Sequence, residues 1–421
     1  MLIQFRFKNF KSFKDDAILD LSATKITEHA SRVIQVGKEK LLPVAAIYGA
    51  NASGKSNVIE AFRFMMTYVL DSFNYGGEVE NKRTKEKKLK KTPFLFDKDS
   101  RNKESSFEVY FIEPEDRGGK SYNYGFTLNQ NGVVEEWLNT KAKTARDFKK
   151  FFYRSGDELD LCGLPAASQD NIRVALEKEA LIVSLGAKLK IAKLKMVRNW
   201  FYDNTVTNFG DPIENVFLSR FVPGGFIHDK NVQENVADYL SMFDSSILGF
   251  HVEVQDENTD MEQVDVSTLH RMIDSDEVVR LPLEEESDGT LKMFTLYPML
   301  LDALELGSTL WVDELNARLH PLLVRNILLM FLNTKINTKH AQLIFTTHDA
   351  WQLSNHLLRR DEIWFTEKAA NGVSSLYSLA DFMDEDGTKI RKDESYEKNY
   401  LLGKYGAIPT LKCFDMFKEE A

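Results

Sequence analysis

Residues 49–56 read GANASGKS, between the apolar run PVAAIY (residues 43–48) and the stretch NVIEAFRFMMTYVL. The apolar run is short enough for a buried strand and meets glycine directly. After Ser56, the residues Val58, Ile59, Phe62, Met65 and Met66 recur at helical spacing. The unit is therefore strand, glycine loop, helix.

GANASGKS fits the pattern G-x-x-x-x-G-K-[ST], and the chemistry explains the spacing. Gly49 and Gly54 let the backbone curl so that successive N–H groups point inward at phosphates. Asn51, Ala52 and Ser53 lie between them, and Asn57 follows; these complete the expected nucleotide-binding set. Lys55 brings a point charge to the β- and γ-phosphates, and the Ser56 hydroxyl suits Mg²⁺. The helix that starts here adds its N-terminal dipole to the anion site.

Such a loop needs a carboxylate on a neighbouring strand. STLWVDE (residues 308–314) supplies one: Leu310, Trp311 and Val312 bury the strand, and Asp313 and Glu314 emerge at its C-terminal end. Asp313 suits Mg²⁺, and Glu314 suits a general base that polarises an attacking water. A third apolar strand, QLIFTTHD (residues 342–349), ends in His348, placed to sense the γ-phosphate.

The bulk composition bounds the rest. The chain has 421 residues, 43% hydrophobic and 28% charged, as expected of a soluble protein of two or three domains. Its 54 basic and 64 acidic residues give −10, so any nucleic-acid contact needs a local basic patch. Cys162 and Cys413 are far apart, with no metal-ligand spacing, which fits a reducing cytoplasm. No apolar run reaches the length of a membrane span.

Three regions follow from the pattern. Residues 1–160 read as an N-terminal lobe carrying the loop and an antiparallel β-layer, with strand signals in IQFRFKNF, SSFEVYFIE, SYNYGFTLNQNGVVEEWLNT and DFKKFFYR. Gly118-Gly119 and Asn131-Gly132 mark turns. Residues 161–270 read as a mostly helical insertion without sustained heptads, and NIRVALEKEALIVSLGAKLKIAKLKMVRNWF has helical spacing. Residues 271–421 read as a C-terminal α/β lobe, with PLLVRNILLMFLN as an amphipathic helix, a polar, turn-rich tail from Ala380 and a short helix in CFDMFKEEA. Two basic stretches stand out: 82–91 reads as a solvated loop, and Lys188, Lys190, Lys193, Lys195 and Arg198 form a wet helix face or a basic face. The acidic DEDG at 384–387 reads as a solvated turn.

GANASGKS, LWVDE and TTHD, in this order, resemble an ABC-type ATPase, an α/β P-loop fold with a β-rich lobe and a helical insertion. The resemblance implies ATP and Mg²⁺ as cofactors. It also implies a signature before the second carboxylate strand, where EESDGTLKMF stands, with Ser287 and Gly289 as its residues. In that superfamily the signature helix caps the γ-phosphate held by a second subunit, so a homodimer or larger assembly with ATP at its interface is implied. ESDGT replaces the transporters' LSGGQ, and LNARLHP follows Glu314. NFKSF at residues 9–13, S-x-G-T and DE-x-x-x-x-LHP are similar to SMC-like and OLD-like ATPases. The tail ESYEKNYLLGKYGAIP resembles the RloA-like group of prokaryotic defence islands. No Toprim nuclease follows Glu314, so the resemblance implies a separate effector, a nuclease, as partner. The glutamine such ATPases direct at Mg²⁺ has no clear place: Gln130 lies beside a turn, and Phe94-Leu95-Phe96-Asp97 marks a short apolar segment. The expected function is a nucleotide switch in anti-phage defence. A DNA-clamping repair or chromosome-maintenance ATPase and an ATP-dependent scaffold are the alternatives.

Overall fold

The computed structural model describes residues 1–75, 89, 91–113, 119–214, 222–255, 263–383 and 387–409. Most of the basic stretch 82–91, Gly118, most of DEDG, and Cys413 with the C-terminal helix expected around it lie outside them.

Seven strands form an antiparallel layer. They are β1 (Leu2–Lys8), β2 (Ala17–Asp20), β6 (Ser105–Ile112), β7 (Ser121–Asn129), β8 (Gly132–Lys141), β9 (Lys149–Ser155) and β10 (Glu158–Asp160), in the order β10-β9-β8-β7-β6-β1-β2. The Asn131-Gly132 turn joins β7 to β8, with Gly132 at φ 132°. A small ribbon, β3 (Ile34–Val36) with β4 (Glu39–Leu41), precedes β5 (Val44–Gly49).

The strand entering the glycine loop belongs to a second sheet, ordered β11-β15-β16-β5-β17-β18. Its other members are β11 (Thr205–Asn208), β15 (Thr309–Asp313), β16 (Gln342–Thr346), β17 (Ile363–Lys368) and β18 (Ser374–Ser378). All neighbours from β11 to β17 run parallel, and β18 closes the edge antiparallel. The C-terminal ends of β5, β15 and β16 therefore open on one side, where open α/β sheets place their ligands.

Burial on both faces explains the unbroken apolar runs of these strands. Ala45 and Ile47 join one core with Val58, Ile59 and Phe62 of α1 (Lys55–Asp71); Val44, Ala46 and Tyr48 join the other. Helix α1 lies between the two sheets, and Phe62 stacks on Trp311 at 4.1 Å while meeting Phe5 edge-on at 5.4 Å. Trp311→Ala would open this seam at a cost of about 3–5 kcal/mol. The opposite face of the parallel sheet is covered by α7 (Asp288–Leu306) and α8 (Pro321–Leu332). A short helix, α2 (Lys98–Asn102), is capped by Asp97, which also pairs with Lys14 at 3.2 Å.

The stretch read as helical differs in two ways. The span 171–201 is not one helix but parts of α3 (Ala166–Ala175), α4 (Ile182–Lys188) and α5 (Ala192–Tyr202). Lys190 at φ 60° ends α4, with Ile191 N–H bonded to Gly186 O at 2.9 Å and Lys190 N–H to Ala187 O at 3.0 Å, a Schellman closure. Gly186 lets α5 fold back, since a Cβ there would lie 2.1 Å from Leu194 Cδ1. The second difference follows α6 (Lys230–Ser241). Three strands, β12 (Ile247–Gln255), β13 (Gln263–Arg271) and β14 (Val278–Pro282), form an antiparallel sheet. The alternation Phe250, Val252, Val254 carries that strand signal, and β12 pairs in unbroken register over it. The tail is also more than turns. It holds α9 (Tyr396–Leu401), and Tyr396, Tyr400 and Tyr405 are buried.

Candidate nucleotide-binding site

The glycine loop has the backbone its residues allow. Gly49 has φ 153°, Ala52 φ 62° and Gly54 φ 114°. A Cβ at Gly49 would lie 2.4 Å from Thr366 O, and one at Gly54 would lie 2.8 Å from Ser374 Oγ, so glycine is required by space as well as by angle. Behind the loop stands a set of hydroxyls, of which Thr366 and Ser374 lie outside every motif read from the sequence. Ser374 Oγ meets Ser53 O at 2.7 Å and Ser12 Oγ at 2.8 Å; Ser53 Oγ meets Thr366 Oγ1 at 2.6 Å. Asn57 Nδ2 donates to Ser12 Oγ at 2.7 Å, tying NFKSF to the first turn of α1.

Lys55 is 5% exposed, and its Nζ donates to Gly49 O at 2.8 Å and Ala50 O at 3.0 Å. Burial lowers its pKa to about 8, against the opposing pull of Asp313 and Glu314. An ammonium has three protons to donate. The loop carbonyls take two, and the third suits an anionic oxygen.

Asp313 ends β15, buried, with Oδ1 accepting from Thr346 Oγ1 at 2.5 Å. Burial raises its pKa, while hydrogen bonds from Thr346 and Ser56 hold it down. Glu314 leaves the strand at φ 54°, a conformation rare for a residue of its kind and concentrated at functional sites. Its N–H donates to Thr346 Oγ1 at 2.8 Å, and its carboxylate lies against Gly210. His348 follows β16; burial lowers its pKa first, then the charge of Lys55. Its N–H bonds Asn316 Oδ1 at 3.3 Å, an acceptor that also takes Thr347 Oγ1 at 2.9 Å.

The structure thus brings together Lys55, Ser56, Asp313, Glu314 and His348. Ser287 and Gly289 stand apart, at the N-terminal turn of α7. Ser287 caps it, accepting from Thr290 N–H at 3.1 Å, and is exposed. The nearest atom to a Cβ at Gly289 is Arg318 O at 3.5 Å, and Arg318 pairs with Asp288 at 3.0 Å. Lys292, one turn on, is pushed down to about pKa 7 by burial, with Arg318 adding to this; its Nζ donates to Ala317 O and sits 4.1 Å from the Phe209 ring centroid. Thr346, Asn316 and Lys292 lie inside motifs quoted above but were given no role there, and Gly210 had no sequence signal of its own. Gln130 is exposed and reaches only Asn102 at 3.4 Å, so it is not directed at this group.

These residues fit a magnesium nucleotide. The buried ammonium has capacity for a phosphate oxygen, the two glycines leave room at the loop, and Ser56 and Asp313 present hard oxygen donors side by side. The fold and the site define a P-loop ATPase-class protein with an ABC-type head. The chain belongs to the family described as "AAA domain, putative AbiEii toxin, Type IV TA system", whose model matches residues 44–171 and 195–350. Among solved structures, an Smc head bound to the C-winged helix domain of ScpA is 15% identical over 90% of this chain and 97% of that one, with TM-score 0.45. The SMC head domain from Thermotoga maritima is 17% identical over 90% and 98%, with TM-score 0.39. An Smc head with an extended coiled coil, bound to the C-terminal domain of ScpA derived from Pyrococcus furiosus, is 16% identical over 90% and 96%, with TM-score 0.40. No curated protein gives a significant match. No helix among the described residues is long and apolar enough to cross a membrane.

Proposed function

We propose that this chain binds and hydrolyses ATP with Mg²⁺ at a site that a second copy completes, and that the nucleotide state switches an anti-phage defence assembly with a separate effector nuclease. The observation that carries the reading is the convergence of Lys55, Ser56, Asp313, Glu314 and His348 at the C-terminal ends of three parallel strands. Lys55 binds the β- and γ-phosphates. Ser56 and Asp313 hold Mg²⁺, which when bound neutralises the charge on those phosphates. Glu314 takes a proton from the attacking water at its carboxylate. His348, whose charged form is disfavoured by burial and by Lys55, faces the γ-phosphate as a sensor. Ser287 and Gly289, on the exposed turn of α7, serve the opposite copy through the helix N-terminus.

The defence setting draws on the family's description, which names a toxin of a Type IV system, and on the RloA-like tail. Direct DNA clamping draws less support. Of the basic face at 188–198, Lys188 lies over the Phe73 ring, Lys193 bonds the Tyr122 hydroxyl at 2.8 Å, and Arg198 bonds Leu70 O at 2.9 Å. A pure scaffold would have no use for a strained acid at 314.

The test is the solution mass of Glu314→Gln with and without Mg²⁺-ATP, beside phosphate release by the wild type. A nucleotide-dependent doubling in the variant, with phosphate release confined to the wild type, is the expected result. A mass indifferent to ATP would remove the shared site, and equal phosphate release would remove Glu314 as the base.

A further inference from the structure

The tail helix α9 lies against the back of the nucleotide site. Tyr400, on its last turn, stacks on Phe365 at 5.5 Å between ring centroids and meets Tyr48 at 6.1 Å. Tyr48 is the residue before Gly49, the first glycine of the loop, and is fully buried. The Tyr400 hydroxyl donates to Ala407 O at 3.4 Å; burial raises its pKa, and the nearby Gly49 backbone N–H acts against that rise. On its other side α9 packs against the turn Ala350–Gln352, two residues after His348. One short helix thus touches the entrance of the glycine loop and the turn beyond the histidine strand.

The tail is built to hold that helix in place. Gly403 at φ 79° and Gly406 at φ 67° fold the chain back after α9. Tyr405, fully buried, has its carbonyl bonded by Tyr377 OH at 2.7 Å, and its hydroxyl receives Asn399 Nδ2 at 3.2 Å. Glu394 accepts from Asn399 at 2.7 Å and pairs with Lys404 at 2.8 Å, closing the segment on itself.

We propose that Tyr400 is a positioning residue for the glycine loop, and that segment 394–409 is a strap whose docking and nucleotide binding reinforce each other. The proposal rests on the nucleotide-site reading above. Its physics is preorganisation: a loop held in its binding shape loses less freedom when phosphate arrives. The reciprocal follows by linkage, since a strap that tightens ATP binding must itself be tightened by ATP.

Tyr396 provides a matched control. It lies on the same helix, 1% exposed, and its hydroxyl has no hydrogen-bond partner among the described residues. Tyr400→Phe and Tyr396→Phe each remove one buried hydroxyl and keep the ring. The experiment measures the Kd of each full-length variant for Mg²⁺-ATP, and amide exchange across 394–409 with and without saturating Mg²⁺-ATP. Wild type and Tyr396→Phe are expected to show slower exchange in the strap with ATP bound. Tyr400→Phe is expected to bind about three- to tenfold more weakly, the worth of one hydrogen bond, and to lose most of that slowing. Equal affinity in the two variants, or strap exchange indifferent to ATP that is demonstrably bound, overturns the proposal and leaves the site reading standing. A wild type that binds no ATP overturns both.

Discussion

Thr346 Oγ1 donates to Asp313 Oδ1 at 2.5 Å across neighbouring parallel strands, and accepts the Glu314 N–H at 2.8 Å. One hydroxyl therefore sets both the carboxylate proposed for Mg²⁺ and the backbone of the proposed base. Thr346→Val keeps the shape but leaves a buried carboxylate oxygen and an N–H short of a partner, costing about 1–3 kcal/mol of stability. It also removes one of the bonds that hold the Asp313 pKa down against burial. The Mg²⁺ concentration needed for ATP binding should rise, most at low pH, where a proton competes for the carboxylate. Thr346→Ser should restore both. A magnesium titration of nucleotide binding at several pH values reads this out, and a Val variant matching wild type throughout would dismiss the role.

Gly210 offers a way to move the Glu314 carboxylate without altering that residue. A Cβ at 210 would lie 2.4 Å from Glu314 Oε2, the far end of a flexible side chain, and Gly210 does not have a positive φ. Gly210→Ala should therefore fold normally and displace the acid. Misplacing a catalytic group by about an ångström costs on the order of a hundredfold. The expected outcome is a kcat lowered about 10- to 100-fold with ATP affinity within about twofold of wild type. A loss of affinity with kcat intact would place Glu314 in binding instead.

The site was legible where chemistry fixes spacing along the chain. GANASGKS and the acids ending LWVDE are contiguous, and the strands carrying them need apolar runs on both faces. Thr346 was within reach, since it stands two residues before His348 on the strand adjoining β15. Thr366, Ser374 and Gly210 were not: each is a single small residue brought to the site by tertiary pairing alone. The broken helices at 171–201 escaped because Lys190 adopts a left-handed conformation that its identity does not announce. The tail read as polar because its tyrosines are spaced irregularly. They bury a ring cluster built from both sides of Gly403, not one face of a long helix.

Lys55 gives ATP binding a pH dependence of definite sign. Its pKa in the free protein is brought down to about 8 by burial, and phosphate would raise it again. Below pH 8 the ammonium is already formed, so affinity should be flat with respect to this group. Above pH 8 the free protein must take up a proton to bind. Affinity should then fall, at most tenfold per pH unit, until the pKa of the bound state is passed. Calorimetry in two buffers of different ionisation enthalpy would show proton uptake near pH 9 and little near pH 7. Lys55→Met, which cannot titrate, should bind weakly at every pH without the break. A wild-type affinity unchanged from pH 7 to 9.5 would contradict the assignment.

Glu362 predicts a pH dependence of stability rather than of binding. It is fully buried beside the Arg359–Asp361 pair, whose nitrogen and oxygen meet at 2.8 Å. One carboxylate oxygen accepts the Arg359 N–H at 2.8 Å, and the other has no partner among the described residues. Burial pushes its pKa from 4.5 up to about 8, so at neutral pH the folded protein holds a proton that the unfolded chain releases. Between those two values the native state binds more protons than the unfolded state, and this group's contribution to stability falls as pH rises. Below about pH 4.5 both states are protonated and the contribution is fully present; above about pH 8 the loss is complete. Glu362→Gln has the same shape and no titration. Its stability should lie within about 1 kcal/mol of wild type at pH 5 and exceed it increasingly toward pH 8. Thermal unfolding of the two proteins across that range would show melting curves that diverge with pH. Parallel curves would mean that Glu362 is already ionised in the folded protein, with its free oxygen paired to water.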